Sequence, residues 1–570
     1  MKPTLLFLGA LWLCHLMVCR GADAPWPAPV PGHVPVQPGE HPRLLFRRSE
    51  LPMLRQRMKT PEGQALLKRL CQQLNGGDGR SLPPQPTAKG RPAADGAGPL
   101  EKAPVGSAMT MSHVAGYGFL YQLTQDPLYA RLAREAMERA LEGYRDRDQR
   151  YSFRQPFGAL RAGPSLGWYA LGYDLAYDGW DPQFRQKVAR EIEQYNEGEW
   201  CSLAELAAGR RHHPGSNHWG MQVGGAALAL LAIMGDDGVN SDRIRNLLKI
   251  SEGSMIRCMT EGFGDGGFFA EGDGTGSMAS HIVFLPALQA WRVAAGKDFV
   301  SPRPNAQWMA LRWFFLTQSH AGEAVFLPRR GGYPHNVWAR DTLSGGGYFG
   351  IAMGILDDDQ RAAVAWYYDH FGFRAADERA GTPFDSVSPY PHHTILSFVN
   401  WCWDRPARPM DEVLPHAFHD SKWKFYAWRN RWRDENDVII SILTHTAKGF
   451  MKASAETTLS ILTQKRLTTW GTIRGGFVDQ FRPRADGTTI LKTSDGSCLA
   501  VDFSRASGAD VMLVLAGPSA PLKNSYELRG VRFSFHFPVG SAPSIQVGAD
   551  GLRVGQQLVG WDGERITLAR

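Results

Sequence analysis

The stretch 212–235 reads HHPGSNHWGMQVGGAALALLAIMG and joins a polar segment to a long apolar run. Ser216 is expected to cap a helix that begins near Asn217 and continues to about residue 234. A helix that is apolar on every side is buried. The polar residues at or just before its N-terminal end are His212, His213, Asn217, His218 and Trp219. Backbone N–H groups at a helix start, beside an amide and an imidazole, suit an anionic ligand. The alternative is that these residues only cap and pack.

Three carboxylates lie close together in the glycine-rich stretch 265–274, DGGFFAEGDG. They are Asp265, Glu271 and Asp273. In a glycoside hydrolase one carboxyl group acts as acid and another as base or nucleophile, and a cation is another ligand that such a cluster could hold. No His-x-x-x-His spacing, Cys cluster, P-loop or Gly-x-Ser-x-Gly motif accompanies them. We therefore expect no metal ion and no cofactor.

The stretch 327–336, LPRRGGYPHN, joins two predicted helices and is expected to form a rim loop. Arg329 and Arg330 could bind a carboxylate or sulfate, and Tyr333 and His335 could act as acid and base. The alternative is a solvated loop in which Tyr333 packs inward.

Two further groups of histidines are weaker candidates. His281 lies ten residues after Glu271, where a satisfied core histidine is the commoner outcome. The Tyr-Pro-His-His stretch 390–393 falls in a predicted interdomain linker, where a cleft could form.

Composition restricts the class of protein. A chain of 570 residues is expected to form two domains. The net charge of +7 is compatible with an acidic substrate, and without a block of Lys and Arg a nucleic-acid partner is not expected. Eighteen Trp suit sugar contacts but also fill helical cores.

Residues 1–24 resemble a secretory signal peptide, with Lys2, an apolar run over 5–18 and an Ala-Asp-Ala site. We expect a secreted or periplasmic protein. No later apolar stretch is long enough for stable insertion in a membrane. The five Cys that remain are scattered and indicate no disulfide framework.

Turn residues and apolar periodicity divide the mature chain into four parts. Residues 25–106 are expected to form an N-terminal extension that ends in a long exposed Gly/Pro-rich loop. About ten helices without strand signals follow over 107–385, and such helical hairpins can close into an (α/α) toroid with a central cleft. Residues 386–420 are expected to form a linker. Many short strands over 421–570 favour an antiparallel β-sandwich.

Three stretches taken in order resemble the heparinase II/III-like polysaccharide lyases and their alginate lyase relatives. They are HPRLLF at 41–46 followed by Glu-Leu, SNHWG at 216–220 followed by AALAL, and DGGFFAEGDG at 265–274. The resemblance covers most of the mature chain. It implies the same order of a helical toroid and a β-sandwich, an acidic polysaccharide as substrate, and β-elimination at a uronic acid.

The resemblance also implies roles for particular residues. Asn217 would donate to the uronate carboxylate with His218 beside it, so that an enediolate can form when a base removes the C5 proton. In the family a Tyr and a His then act as acid and base.

The sequence departs from the family pattern in the acid/base half. Where the family has a tyrosine after Glu271, this chain has Thr275. The family's His-rich strand corresponds to 449–458, which contains no His, although His445 precedes it and Lys452 lies within it. Tyr333 and His335 are therefore the predicted acid and base, and His213, Trp219, Glu271, Arg329 and Arg330 the predicted substrate contacts.

Three functional hypotheses remain at this stage. The first is an exported lyase acting on a uronate-containing, possibly sulfated, glycan. The second is a glycoside hydrolase that uses Glu271 and Asp273. The third is a glycan-binding relative without catalysis. The polymer and the oligomeric state are not specified by the sequence.

Overall fold

The structure is a computed structural model. It describes residues 26–198, 201–301, 303, 305–327, 340–443, 456–474, 481–492, 498–505, 510–516, 525–527, 533–536, 545–548, 551–554, 557–561 and 566–568. The predicted signal peptide lies outside the described residues.

Helices dominate the chain up to residue 400. Those in the described part are α1 (Leu51–Arg57), α2 (Pro61–Asn75), α3 (His113–Thr124), α4 (Pro127–Leu141), α5 (Ala159–Ala176), α6 (Pro182–Glu193), α7 (Leu203–Ala207), α8 (Asn217–Ile233), α9 (Ser241–Arg257), α10 (Asp273–His281), α11 (Phe284–Ala295), α12 (Asn305–Phe315), α13 (Tyr348–Met353), α14 (Asp358–His370), α15 (Phe373–Ala380) and α16 (Pro391–Asn400).

Strands make up most of the regular structure after residue 416. Two short pairs lie earlier, β1 (Ala28–Pro29) with β2 (Lys297–Asp298) and β3 (Thr317–His320) with β4 (Glu323–Phe326). One five-stranded sheet runs in chain order through β5 (Ala417–Asp420), β6 (Phe425–Arg429), β7 (Ile439–Leu443), β8 (Glu456–Thr463) and β9 (Arg466–Arg474). The remaining strands are β10 (Thr489–Lys492), β11 (Cys498–Asp502), β12 (Val511–Ala516), β13 (Ser525–Glu527), β14 (Phe533–His536), β15 (Ile545–Gly548), β16 (Gly551–Val554), β17 (Gln557–Trp561) and β18 (Ile566–Leu568).

The predicted order of a helix-rich part followed by a sheet-rich part is confirmed. The expectation of no strands among the helices was wrong, because β3 and β4 form a hairpin that turns at Gly322. The sheet β10–β14 is also not purely antiparallel, since β12 pairs in parallel with β14. Closure of the helices into a toroid and the complete sandwich stay predictions.

The first five-stranded sheet is buried on both faces. In β6, Phe425 and Ala427 belong to the apolar core that includes the helices, whereas Tyr426 and Trp428 belong to a second core shared with β10–β12. Alternate residues of a strand point to opposite faces, so this sheet lies between the helical part and the second sheet.

The segment 386–420, predicted as a linker, contains α16 and begins the first sheet at β5. Helix α16 carries ten residues, almost all buried, and so belongs to the helical core. The domain boundaries themselves stay predictions.

The HPRLLF motif anchors the N-terminal extension to α5 and to the end of α8. His41 lies between two buried carboxylates, with Nδ1 at 2.7 Å from Asp174 and Nε2 at 3.0 Å from Asp236. The backbone N–H groups of Arg43 and Leu44 donate to Asp174, and Arg43 also pairs with Asp236. The motif predicted as a short apolar anchor is therefore also a buried ionic one.

The Gly/Pro-rich loop is mostly exposed, as predicted, but it is fixed at several points by the segment that follows α4. Arg145 donates to the carbonyls of Lys89, Gly90 and Arg91, and Arg147 donates to those of Glu101 and Ala103. We call residues 89–103 the strap.

None of the helices in the described part of the chain combines the length and apolar character needed to span a lipid bilayer.

Candidate functional site

A cleft of about 770 Å³ opens at the N-terminal end of α8. Four parts of the chain line it. These are the strap, the segment between α4 and α5 with the start of α5, the facing ends of α8 and α10, and residues 341–344 with 389–390. Asn217 and His218, two of the five residues singled out first from the sequence, line this cleft.

Glycines determine how α8 sits against its neighbours. A Cβ atom at Gly225 would collide with the carbonyl oxygen of Gly163 on α5, and one at Gly220 would collide with that of Ala279 on α10. Such close approach is possible only where the side chain is absent. The contact with α5 brings Arg161, in the first turn of α5, to the cleft that Asn217 and His218 line.

Asn217 is held by its backbone. Ser216 is the N-cap of α8, as predicted, and the backbone N–H of Asn217 donates to Glu271 Oε2 at 2.9 Å. The Asn217 side chain is buried, and its Nδ2 lies 3.7 Å from Met278 Sδ, which is a weak acceptor. The amide is therefore positioned at the cleft without a strong bond from this contact.

The position of Glu271 changes the expectation of an anion site at the helix start. Glu271 is buried, accepts from Asn217 and does not line the cleft. Burial raises the pKa of Glu271, while hydrogen bonds from Asn217 and Ser216 oppose the rise. The helix N-terminus is thus already occupied by a carboxylate, and an anion in the cleft would meet side chains.

His218 is partly buried and stacks on His212, with ring centroids 4.3 Å apart. His212 is in turn fixed by Gln222, whose Nε2 lies 2.8 Å from His212 Nδ1. Burial lowers the pKa of His218 to about 4, with smaller contributions from the charges of His212 and Arg161. The imidazole is therefore uncharged at neutral pH.

Two tyrosines that were not among the predicted catalytic residues also line the cleft. Tyr151 and Tyr390 are both buried. Burial raises the pKa of Tyr151 to about 12, with Arg161 opposing the rise, and raises that of Tyr390 well above its usual value. The ring of Tyr151 lies 5.5 Å from the Arg161 guanidinium. Tyr151 has no motif around it, whereas Tyr390 belongs to the stretch 390–393 noted above.

Two predicted substrate contacts lie elsewhere. Trp219 is 2% exposed, and its Nε1 donates to the carbonyl of Ser254 at 3.0 Å, so the ring is a packing residue directed away from the cleft. His213 is exposed and its Nδ1 accepts from the N–H of Gly215 at 3.1 Å. Neither residue lines the cleft.

Asp265 and Glu271, two carboxylates of the stretch 265–274, do not line the cleft. Asp265 accepts from the N–H and the hydroxyl of Ser421, at the end of β5. Its neighbours Gly266 and Phe268 donate their N–H groups to Asp420 at 3.0 Å. This loop therefore joins the helical part to the first sheet, and neither Asp265 nor Glu271 faces the cavity. Asp273 begins α10.

The remaining histidine candidates are core residues. His281 is buried and stacks on Tyr348, with centroids 4.2 Å apart, and burial lowers its pKa to about 3. His392 and His393 are buried in α16, where His392 stacks on Trp168 at 3.8 Å.

Several predicted residues lie outside the described part of the chain. They are Arg329, Arg330, Tyr333, His335, His445 and Lys452. The chain directly after the first four, at Asp341 to Ser344, lines the cleft. Among the described residues no group of three or more His, Cys, Asp or Glu side chains is placed to hold a metal ion.

No family model and no curated protein matches this sequence. Solved structures do match it. One is heparinase III, with 10% identity and a TM-score of 0.36 over 68% of this chain and 57% of that chain. Another is heparan sulfate lyase HepC from Pedobacter heparinus, with 13% identity and a TM-score of 0.35 over 82% of this chain and 66% of that chain. A mutant of HepC has 12% identity and a TM-score of 0.35, over 68% of this chain and 58% of that chain. This chain thus spans 57% to 66% of the length of those structures.

Proposed function

We propose that this chain is an exported polysaccharide lyase that cleaves a uronate-containing glycan by β-elimination. One observation carries the proposal: a single cleft is lined by the amide of Asn217, the uncharged imidazole of His218, the buried guanidinium of Arg161 and the phenol of Tyr151. These groups supply a hydrogen bond for a carboxylate, a proton acceptor, a positive charge and a proton donor. Export rests on the signal-like residues 1–24.

The reaction has to make a weakly acidic C–H bond react. Asn217 donates its amide N–H to the substrate carboxylate, and this hydrogen bond strengthens as negative charge moves onto the carboxylate oxygens. His218 accepts the proton from C5. The electron pair of the C–H bond then forms the C4–C5 double bond, and the C4–O4 bond breaks.

Tyr151 donates its hydroxyl proton to the departing O4. A phenol with a pKa of about 12 is protonated at neutral pH and is still acidic enough to donate to an alkoxide. Arg161, beside its ring, stabilises the tyrosinate that forms. The products are a 4,5-unsaturated uronate at the new non-reducing end of one fragment and an anomeric hydroxyl, the new reducing end, on the other.

The low pKa of His218 belongs to the unliganded cleft. A carboxylate bound next to an imidazole favours the protonated form and raises its pKa. Substrate binding at Asn217 therefore makes His218 a stronger base at the moment it is needed. Tyr333 and His335 stay alternative groups for proton transfer, because the chain that follows them lines the cleft.

Digestion in water enriched in heavy oxygen tests the reaction type. A hydrolase adds one water molecule for each cleavage and places its oxygen at the new reducing end, whereas elimination adds none. The reducing ends are converted to alditols immediately, so that the anomeric oxygen does not exchange with the solvent. We expect unlabelled products that carry one double bond for each cleavage. Labelled products would replace the lyase by a hydrolase, and binding without any cleavage by the wild type would leave a glycan-binding protein.

A further inference from the structure

The deep wall of the cleft carries two buried guanidinium groups whose N–H donors the described part of the chain satisfies only in part. Arg161 is 7% exposed. The carboxylate paired with it, Asp95, lies 3.8 Å away and is 58% exposed. The Nε and Nη1 atoms of Arg161 are buried and have no hydrogen-bond partner among the described residues. A buried cation with so few partners is costly unless a ligand supplies the missing charge.

Arg147 also lines the cleft, and its guanidinium is likewise buried with an N–H group that lacks an acceptor among the described residues. It is 5% exposed, and its Nη2 donates to the strap carbonyls of Glu101 and Ala103 at 2.6 and 2.7 Å. Its Nη1 is buried without a partner among the described residues. The adjacent Asp146 accepts from two backbone N–H groups, and burial raises the pKa of this carboxyl.

The other charged side chains named here are either paired with each other or exposed at the rim of the cleft. Arg150 is neutralised by Asp148, which accepts from its Nε at 2.8 Å and its Nη2 at 2.5 Å. Three carboxylates, Asp95, Glu101 and Asp341, are exposed at the rim. Among the described residues of the cleft, Arg147 and Arg161 are thus the buried guanidinium groups with N–H groups that lack an acceptor, whereas Lys102, which also lines the cleft, is exposed.

We propose that Arg147 and Arg161 form a second anion subsite, which takes an oxyanion of the glycan next to the uronate held by Asn217. A guanidinium presents N–H donors in a planar fork that matches a sulfate or a carboxylate. The ligand is a sulfate ester or a second uronate carboxylate, so the substrate carries two anionic groups close together. The identity of the ligand as a glycan rests on the proposed function.

Polymers that differ in their second anion test the subsite. Unsulfated chondroitin carries one carboxylate per disaccharide, chondroitin sulfate adds a sulfate ester, and polymannuronate carries a carboxylate on every residue. Equilibrium binding to each polymer is measured by calorimetry at fixed ionic strength, and KM where cleavage occurs. The variants are Arg161→Gln, Arg161→Lys and the control Arg190→Gln, which removes an exposed charge on α6. Thermal unfolding of each variant verifies its fold.

We expect Arg161→Gln to weaken binding of a doubly anionic polymer by about tenfold, the loss of one charge-assisted hydrogen bond. Binding of unsulfated chondroitin should weaken by a smaller factor, since it has no second anion, and its kcat is not used as a control because Arg161 also stabilises the tyrosinate of Tyr151. Arg161→Lys should lie between wild type and Arg161→Gln, and Arg190→Gln should match wild type. If Arg161→Gln weakens binding of chondroitin sulfate, the subsite is assigned to sulfate. If it weakens binding of polymannuronate, the subsite is assigned to a carboxylate.

The subsite would be overturned if Arg161→Gln weakened binding of all three polymers equally or of none of them. It would also be overturned if no polymer bound to the wild type. Binding and cleavage are scored separately, so the two proposals fail separately. Cleavage without dependence on the second anion removes the subsite and keeps the lyase. Binding that depends on Arg161 without cleavage keeps the subsite and removes the lyase.

Discussion

The carboxylate of Glu271 accepts the backbone N–H of Asn217 at 2.9 Å, across 54 positions of the chain. This bond fixes the first turn of α8, and with it the direction in which the Asn217 amide and the His218 ring project. Glu271 therefore acts on the cleft through Asn217 and is a positioning residue in this account.

Replacement of Glu271 separates positioning from direct catalysis. Glu271→Gln keeps an acceptor for the Asn217 N–H, so we expect activity within about fivefold of wild type and nearly unchanged stability. Glu271→Ala leaves a buried donor unpaired and should cost about 1–3 kcal/mol of unfolding free energy and at least tenfold in kcat. Denaturant unfolding and initial rates measure both. Complete loss of activity in Glu271→Gln would instead support the hydrolase hypothesis.

The two cleft tyrosines form a matched pair. Tyr151→Phe removes the proposed proton donor and should lower kcat by about 10²- to 10⁴-fold with little change in KM. Tyr390→Phe removes the same hydroxyl from the second tyrosine that lines the cleft and should change kcat by only a small factor. Steady-state kinetics decide between them. If Tyr390→Phe carries the large effect, the donor has been assigned to the wrong tyrosine.

The pH dependence of kcat/KM reports on His218 in the free enzyme. Because burial lowers its pKa to about 4, activity should rise with pH through about 4 and be complete below pH 6.5. Arg161→Gln removes a charge that lowers this pKa, so its acid limb should move upward on an unsulfated polymer. An acid limb near 6.5 in the wild type would exclude this role for His218.

The same residue links folding to pH. The pKa of His218 is lower in the folded protein than its ordinary value of 6.5, so the unfolded chain binds more protons between pH 4 and 6.5. This contribution to stability is present above pH 6.5 and is lost as the pH falls through about 4.

Asp236 tests the anchor formed by the HPRLLF motif. Its carboxylate is buried and contacts His41, Arg43 and the hydroxyl of Tyr173. Removal of one partner from such a buried network costs about 3–5 kcal/mol, so Asp236→Ala should unfold at much lower denaturant concentration. The exposed neighbour Asp237 is the control, and Asp237→Ala should stay within about 0.5 kcal/mol of wild type. Equal effects of the two replacements would contradict the network's role.

Local rules of sequence predicted the elements of this chain better than its site. The Ser216 cap and the helix over 217–233 follow from capping and from an apolar run, and both are confirmed. In a helix that is apolar on all sides, the sequence does not indicate which side chains face a cleft and which face the core. Trp219 was therefore predicted to contact substrate, although it packs inward.

The contacts that build the cleft join residues far apart in the chain. Arg161 reaches the cleft because α5 and α8 approach at Gly163 and Gly225. Tyr151 arrives on a segment held by Met109 and the strap, with no motif of its own. Such contacts depend on tertiary packing, which periodicity and motif spacing do not encode.

The most direct test of the account is the ultraviolet absorbance of unsaturated uronate during digestion of alginate, heparan, chondroitin and hyaluronan polymers. Wild type and Asn217→Ala are compared at equal concentration, with reducing ends counted in parallel. The account predicts that absorbance rises with wild type on at least one polymer, in proportion to new chain ends, and that Asn217→Ala abolishes the rise while remaining folded. New reducing ends without absorbance, or full activity in Asn217→Ala, would contradict it.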